Sequence, residues 1–290
     1  MRIIDIDTLF VNIDDEIKGL ENIKEYLDLK RYKVNEVKMK PSEYLTLILL
    51  FRFGHNKNLK SIWYEHKYFK RDFPNMPSYN VFITWVNRLK NLLIYLLEKR
   101  LYKLQNELGI IDSTKIETSR PYRRGKIHRQ ASRGYSSLGA FNGFKLHLLI
   151  NKDNQICAYK ITTASVHDIS VVKEGFLDFQ TGKVLADSGY VGREVYYNLM
   201  DKNLTLIAKP RNNMIENNEL GLGYLPDWNL NFKKLYKKRM LIERLFDFFK
   251  DKLNLVVNKL HSTKSLYVHV FSTLLASQLL FNNELSYQII

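Results

Sequence analysis

The chain of 290 residues can bury one large core or two smaller ones, and its 45% of hydrophobic residues excludes intrinsic disorder as the main state. Its 45 basic against 30 acidic residues give a formal charge of +15, which favours a polyanionic partner, nucleic acid before an acidic membrane surface. The single cysteine, Cys157, excludes an internal disulfide and a cysteine-rich zinc site, and together with the lack of a signal peptide or membrane-spanning run it predicts a cytoplasmic protein.

Residues 1–106 are predicted to form a helical domain. Apolar residues recur at helical spacing over 44–53 and 81–104, with turn signals at Gly54 and over 73–77 between them. This succession of helix, turn and helix is typical of DNA-binding domains, but helices that only pack together, without a special function, would show the same pattern. Both interpretations stay open, and the prediction is that these helices form a DNA-binding domain.

Beyond Gly109 the apolar residues change to the spacing of short strands. Five strands are predicted, in the segments GIIDSTKIE, FKLHLLINK, ICAYKITTA, KVLADSGY and LTLIAKP, with a hairpin turn at 152–155. Helical patterns cover 168–179, 190–201 and 234–257. The order predicts an α/β domain over residues 107–261, followed by a C-terminal helix, within 262–290, that packs on it.

Two aspartates follow apolar runs of buried-strand character. Asp112 comes after Ile110 and Ile111, and Asp187 comes after Val184 to Ala186, so both are predicted at carboxyl ends of strands, where α/β proteins place their sites. An unpaired carboxylate there is costly and should be paired, cap a helix or bind a metal. For Asp187 alone, helix capping is an equal alternative.

A third acid lies on the predicted helix YKKRMLIERLFDFFK. At helical spacing Tyr236, Arg239, Glu243, Asp247 and Lys250 share one narrow polar stripe opposite an apolar face. Periodicity alone leaves a solvated salt-bridge face open. Three carboxylates on separate elements are, however, what a two-metal phosphoryl-transfer site requires, because Mg²⁺ prefers hard oxygen ligands.

The order of these acids resembles that of the DDE transposases of bacterial insertion sequences, most closely the IS982 family. The acids occur as Asp112 in IIDSTKIE, Asp187 in VLADSGYVG and Glu243 in YKKRMLIERLFDFFK. The helix also matches the pattern found around the catalytic glutamate of the broader IS4-like group: Tyr, two residues, Arg, three residues, Glu, six residues, Lys. Tyr236, Arg239, Glu243 and Lys250 satisfy this pattern at every position.

The resemblance implies a ribonuclease H-like mixed sheet flanked by helices, with Asp112 on the first strand, Asp187 after the fourth and Glu243 on a late helix. It implies that these acids bind two Mg²⁺ ions, for which Mn²⁺ can substitute. The implied reaction is cleavage of double-stranded DNA at the element's ends, followed by joining of the 3′-hydroxyl to target DNA. A homodimer or larger synaptic complex would hold the two ends, at the bacterial nucleoid. The alternatives are a nuclease of this fold without strand transfer and a catalytically silent, transposase-derived repressor.

Basic residues around the acids are predicted to contact DNA. No acid occurs between Thr118 and Lys152, and the bases of the first part of this stretch are Arg120, Arg123, Arg124, Lys126, Arg129 and Arg133. Lys209 and Arg211 follow the fifth strand and are expected near a phosphate. Arg239 and Lys250 are expected to hold phosphate rather than to pair with Glu243, and Tyr236 to lie near the cleaved strand.

Three further polar residues have weaker predictions. His167 and Asp168 could supply a further ligand or support one, but capping of the following helix is the preferred interpretation. His147 alternates within a strand and is predicted to be structural. Asp247 shares the stripe of Glu243, and the sequence assigns it no role.

Overall fold

The structure, a computed structural model, describes residues 2–3, 5–27, 38–54, 58–69, 72–119, 130–136, 139–209, 234–255, 262–282, 285 and 288–289. Its contacts divide the chain into two compact units. The first comprises residues 1–100, 248–256 and 260–290, and the second comprises 101–247 with 257–259.

The first unit is helical. Its helices in the described part are α1 (Ile6–Lys18), α2 (Pro41–Phe53), α3 (Leu59–Tyr68), α4 (Tyr79–Arg88), α5 (Lys90–Glu98), the last residues of α8 (Met240–Asp251) and α9 (Thr263–Phe281). A short pair of antiparallel strands, β1 (Arg2–Ile3) and β8 (Gln288–Ile289), joins the chain's two ends. Ser78 occupies the N-cap position of α4 with an extended backbone, but its side chain makes no capping hydrogen bond.

The C-terminal helix α9 belongs to this unit. Its residues 270–280 are all buried, and it packs on α5, α2 and α4. We predicted that this helix would pack on the catalytic domain, and the structure differs. A helix that is apolar on every side needs neighbours all round it, and the surrounding α-helices supply them.

A buried arginine closes the contact between α2, α8 and α9. Arg52 is 1% exposed and donates to the carbonyl oxygen of Asn254 (3.0 Å) and to Ser272 Oγ (2.9 Å), and its Nη2 lies 2.9 Å from His269 Nδ1. In return, Asn254 Nδ2 donates to the carbonyl oxygens of Phe51 (2.9 Å) and Gly54 (3.2 Å). The ends of α2 and α8 therefore satisfy each other's carbonyl groups.

The second unit contains a mixed sheet. Its strands are β2 (Glu107–Ser119), β3 (Ser132–Ser136), β4 (Gly139–Asn151), β5 (Ile156–Thr163), β6 (Gly182–Ala186) and β7 (Leu204–Ala208). The order is β3-β4-β2-β6-β7, and β5 also pairs with β4, beyond the residues that pair with β3. The β2–β4 and β4–β5 pairs are antiparallel, whereas β2–β6 and β6–β7 are parallel.

The connections follow from local sequence. The predicted hairpin turn at 152–155 is confirmed between β4 and β5, where Asn154 adopts φ +62°, a left-handed conformation that asparagine tolerates. Helices α6 (Asp168–Lys173) and α7 (Arg193–Met200) connect the later strands. Val172 of α6 and Val195 and Leu199 of α7 pack on the buried residues of the sheet. Cys157 is buried in β5, as predicted, and burial raises the pKa of its thiol to about 12.

Candidate active site

The register of the sheet brings the two aspartates side by side. Ile110 of β2 pairs with Leu185 of the parallel strand β6, so two residues further along Asp112 is level with Asp187. Asp187 directly follows β6, as predicted. Asp112 was predicted at a strand end, but it lies inside β2, because β2 continues to Ser119 as a hairpin with β4 after its parallel partner has ended.

Asp112 is held from both sides. Its Oδ1 accepts from the backbone N–H of Ser113 (2.8 Å), and its Oδ2 accepts from Arg239 Nη1 (2.7 Å). Burial raises the pKa of Asp112 to about 6; the Ser113 N–H and the Arg239 cation oppose that rise, and the anions Asp187 and Asp168 add to it. Burial is therefore the main reason why this carboxylate holds a proton more readily than a free one, and the neighbouring anions add to it.

Glu243 meets Asp112 at a shared guanidinium. Arg239 precedes Glu243 by one helical turn, and its Nη2 donates to Glu243 Oε1 while its Nη1 donates to Asp112. The expectation that Arg239 would not pair with Glu243 is therefore wrong for this structure. The fork of a guanidinium suits two carboxylates at once, and sequence spacing could not show that Asp112 would be the second.

Asp187 is exposed, as is Glu243, whereas the side chain of Asp112 is only 16% exposed. It forms the N-cap of a short 3₁₀ turn, Ser188–Tyr190, and its carboxylate accepts from the backbone N–H of Ser188. Capping, the alternative weighed for this residue, is thus observed. An exposed carboxylate with one backbone partner still has free oxygen lone pairs for a ligand.

The donor chemistry of this site fits a divalent cation, although the acids are not gathered around one point. Among the described residues, no three His, Cys, Asp or Glu side chains are close enough together to hold a metal ion. Asp112 and Glu243 nevertheless already converge on one cation, the Arg239 guanidinium. All three acids offer the hard oxygen atoms that Mg²⁺ prefers, and a bound cation would relieve the mutual repulsion around Asp112.

Asp168 supports this site, contrary to the preferred interpretation of it as part of a helix cap. His167 occupies the N-cap position of α6, but its side chain makes no capping hydrogen bond. The Asp168 carboxylate instead accepts from Ser113 Oγ (3.1 Å) and from Lys145 Nζ (3.0 Å). His147 is fully buried with its Nε2 2.9 Å from Thr162 Oγ1, which agrees with a structural role.

Sequence reasoning missed Lys145, Ser113 and Tyr190. The available signal was the alternation of Lys145 and His147 in the otherwise apolar strand FKLHLLI, which puts two polar side chains on one face. Tyr190 is fully buried, and its hydroxyl has no hydrogen-bond partner in the described part of the chain. Burial, and then the anions Asp168 and Asp112, raise the pKa of this phenol well above its usual value, so it lies close to the acids.

The predicted DNA contacts are only partly visible. Lys209, directly after β7, is exposed. Arg133 is exposed in β3, with its guanidinium 5.6 Å from the centre of the Tyr135 ring. Tyr236 is half-buried, with the Arg239 guanidinium 5.8 Å from its ring centre. Lys250 and Asp247 lie on α8, Lys250 half-buried and Asp247 exposed. The remaining predicted contacts, Arg120, Arg123, Arg124, Lys126, Arg129 and Arg211, fall outside the described residues.

The fold and the site define a class of protein. The second unit has a mixed sheet whose first three main strands are antiparallel and whose last two are parallel, with helices packed on it. One acid lies in β2, and a second lies level with it directly after β6, which is consistent with the ribonuclease H-like fold. Residues 103–263 match the family described as Transposase DDE domain, and the chain belongs to this family. The prediction of a DDE transposase is confirmed, whereas membership of the IS982 family stays a prediction.

A solved structure supports the fold. The chain is similar to the piggyBac transposase in a cryo-EM structure of its synaptic complex with hairpin DNA, with a TM-score of 0.56 and 9% sequence identity. The similarity covers 96% of this chain and 72% of that one. No curated protein sequence matches the chain. No helix in the described part of the chain is long and apolar enough to cross a membrane.

Proposed function

We propose that the chain cleaves the ends of a mobile DNA element and joins them to target DNA, in reactions that depend on divalent metal. One observation carries this proposal: the sheet register aligns Asp112 with Asp187, and Arg239 links Asp112 to Glu243. The three acids come from two strands and a helix, and the family assignment gives this constellation its chemistry.

The acids Asp112, Asp187 and Glu243 would hold two Mg²⁺ ions, with Mn²⁺ as a substitute. Bound there, the ions would lower the pKa of the attacking water or 3′-hydroxyl and stabilise the leaving oxygen. The chain's own residues would orient the DNA. Arg239 suits a phosphate as well as a carboxylate, because its fork offers two parallel donors, and its pairing with Asp112 and Glu243 supports a role beside the reacting strand.

The exposed Lys209 follows β7 level with Asp187 and would bind the backbone beside that acid, the exposed Arg133 would bind it from β3, and Lys250 would do so from the end of α8. The sequence adds Arg120, Arg123, Arg124, Lys126, Arg129 and Arg211 to this set, and a net charge of +15 would attract DNA over a distance. Tyr236, beside Arg239, would pack near the cleaved strand. Because two element ends have to react together, we propose a homodimer or larger synaptic complex, in the bacterial cytoplasm at the nucleoid.

The test uses a plasmid that carries several hundred base pairs of the DNA flanking the gene on each side. With Mg²⁺, the purified wild-type protein is expected to cut this DNA at the element's ends and to join the ends to a second plasmid. Asp187→Asn should abolish cleavage, because it removes the charge of a proposed metal ligand. The side chain is exposed, so the change should leave DNA binding in a gel-shift assay within about twofold of wild type.

The matched control is Asp201→Asn, which removes an exposed charge just after α7, away from the acids, and should cleave like wild type. Cleavage by Asp187→Asn at the wild-type rate would refute the assignment. Cleavage without joining would identify a nuclease, and binding of the flanking DNA without cleavage would identify a silent repressor. Mass measurement with and without this DNA tests the oligomer.

A further inference from the structure

Asp168 lies between the two backbone segments that carry the strand acids. On one side its Oδ1 accepts from the hydroxyl of Ser113, the residue whose backbone N–H holds Asp112. On the other side it meets the turn that follows Asp187. A Cβ atom built on Gly189 would lie 3.3 Å from Asp168 Oδ2 and 3.8 Å from Asp168 Cβ. The carboxylate is therefore packed directly against the glycine two residues after Asp187.

Lys145 compensates the negative charge of Asp168, which is a third anion beside Asp112 and Asp187. Its Nζ donates to Asp168 Oδ1 (3.0 Å) and to the carbonyl oxygen of Val166 (3.0 Å), and its side chain is only 16% exposed. His147 also faces Asp168, with Nδ1 3.8 Å from Oδ1, but burial lowers the pKa of His147 to about 4, so it is neutral at pH 7. The positive charge that offsets Asp168 thus comes from Lys145.

We propose that Asp168, neutralised by Lys145, is a positioning residue that sets the separation of Asp112 and Asp187 for metal binding. The inference rests on the proposed function, because it takes these two acids as metal ligands. Asp168 would act on a bound metal through other residues: through Ser113 on Asp112, and through the Ser188–Tyr190 turn on Asp187. Residues that orient metal ligands change metal affinity by about 10- to 100-fold when they are removed.

The experiment is a calorimetric titration of the purified full-length chain with Mn²⁺, without DNA. Asp168→Asn keeps the size of the side chain, but it removes the anion and leaves Lys145 buried without a counter-charge. We expect its Mn²⁺ affinity to fall by about tenfold or more. In the cleavage assay the Mg²⁺ concentration for half-maximal rate should rise by a similar factor, with a smaller change in the rate at saturating Mg²⁺.

The matched control is Asp178→Asn, which breaks another Asp–Lys pair of the same unit, to Lys202 (2.6 Å), on the surface and away from the acids. This variant should bind Mn²⁺ like wild type. A purely structural role for Asp168 would lower the melting temperature while leaving the Mn²⁺ affinity of the folded protein unchanged. A folded Asp168→Asn protein with wild-type Mn²⁺ affinity therefore overturns the inference and leaves the proposed transposase function intact.

If Asp168→Asn does not fold, Ser113→Ala decides the question. This change removes the hydroxyl that joins Asp168 to the segment of Asp112, but it keeps the backbone N–H that holds Asp112. We expect Mn²⁺ binding to weaken by at least about threefold, and unchanged affinity would overturn the inference. If the wild-type protein bound no Mn²⁺, both the metal dependence of the proposed function and this inference would be overturned. Failure of the wild-type protein to cut the flanking DNA, with Mn²⁺ binding that depends on Asp168, would overturn only the transposase proposal.

Discussion

Replacing Arg52 tests how a buried cation without an acidic partner contributes to stability. In the part of the chain that the structure describes, no carboxylate pairs with Arg52, whose contacts are the carbonyl oxygens of Leu253 and Asn254, Ser272 Oγ and His269 Nδ1. Burial lowers the pKa of Arg52 to about 9, so it still carries its charge at pH 7. Two effects of opposite sign follow if Arg52 is replaced by methionine.

The first effect is the loss of donors to buried acceptors. The Asn254 carbonyl (3.0 Å) would lose this donor, the Leu253 carbonyl has only a long contact (3.4 Å), and Ser272 Oγ keeps its own bond to the His269 carbonyl (3.1 Å). His269 Nδ1 would also lose its donor (2.9 Å), so at about 1–3 kcal/mol for each of these two acceptors, the Asn254 carbonyl and His269 Nδ1, the loss comes to about 2–6 kcal/mol. The second effect is relief, because a buried guanidinium no longer has to be desolvated, and methionine fills much of its volume.

We expect the loss to dominate. The carbonyls that Arg52 satisfies follow the end of α8, where the helix dipole adds negative charge, so the cation is better compensated than its lack of an acid suggests. Urea unfolding followed by circular dichroism should show Arg52→Met destabilised by about 2–4 kcal/mol. Arg52→Lys should lose about half as much, because it keeps the charge but has a single nitrogen.

The control is Lys24→Met, which removes an exposed cation of the same unit and should change the free energy of unfolding by less than about 0.5 kcal/mol. An Arg52→Met protein as stable as wild type, with an unchanged m-value, would refute the reasoning. It would show that desolvation of the guanidinium costs as much as its hydrogen bonds contribute.

Two further predictions concern stability. Burial and the Arg52 cation lower the pKa of His269 well below 6.5, so the unfolded chain binds the extra proton and stability is lost as the pH falls below about 6.5. His269→Gln should flatten this decline by up to about 1.4 kcal/mol per pH unit in urea unfolding between pH 6.5 and 4.5, and an unchanged slope would contradict the assignment. A Cβ on Gly143 would lie 2.0 Å from the carbonyl oxygen of Ile116, so Gly143→Ala should cost about 3 kcal/mol or more by separating β2 from β4. Gly139→Ala is the comparison: its added Cβ would meet nothing within 4 Å, although its φ of +106° is unfavourable for alanine. This variant should lose less stability than Gly143→Ala when both are melted thermally, and equal losses would argue against the clash.

Local sequence determined most elements of the second unit and singled out the three candidate acids. Alternation and run length predicted β2 and β4 to β7, the hairpin turn at 152–155 and the late helix of Glu243, because these patterns depend on near neighbours along the chain, whereas β3 was not predicted. The acids could be recognised by their order and by the residues around Glu243, since the pattern Tyr236, Arg239, Glu243, Lys250 is itself a feature of the sequence.

Only the tertiary structure decided which groups meet. Asp112 is level with Asp187 through a parallel register between strands more than 70 residues apart, and Arg239 reaches Asp112 across 127 positions. Asp168 was read as part of a helix cap because its sequence neighbours favour that role, but folding brings it to Ser113 and Lys145. Likewise, the apolar surface of α9 could be buried by the core of either unit. Its contacts with α5, α2 and α4 make it part of the first unit. Periodicity states that a side chain is buried, whereas its partners depend on contacts between distant segments, which no local pattern encodes.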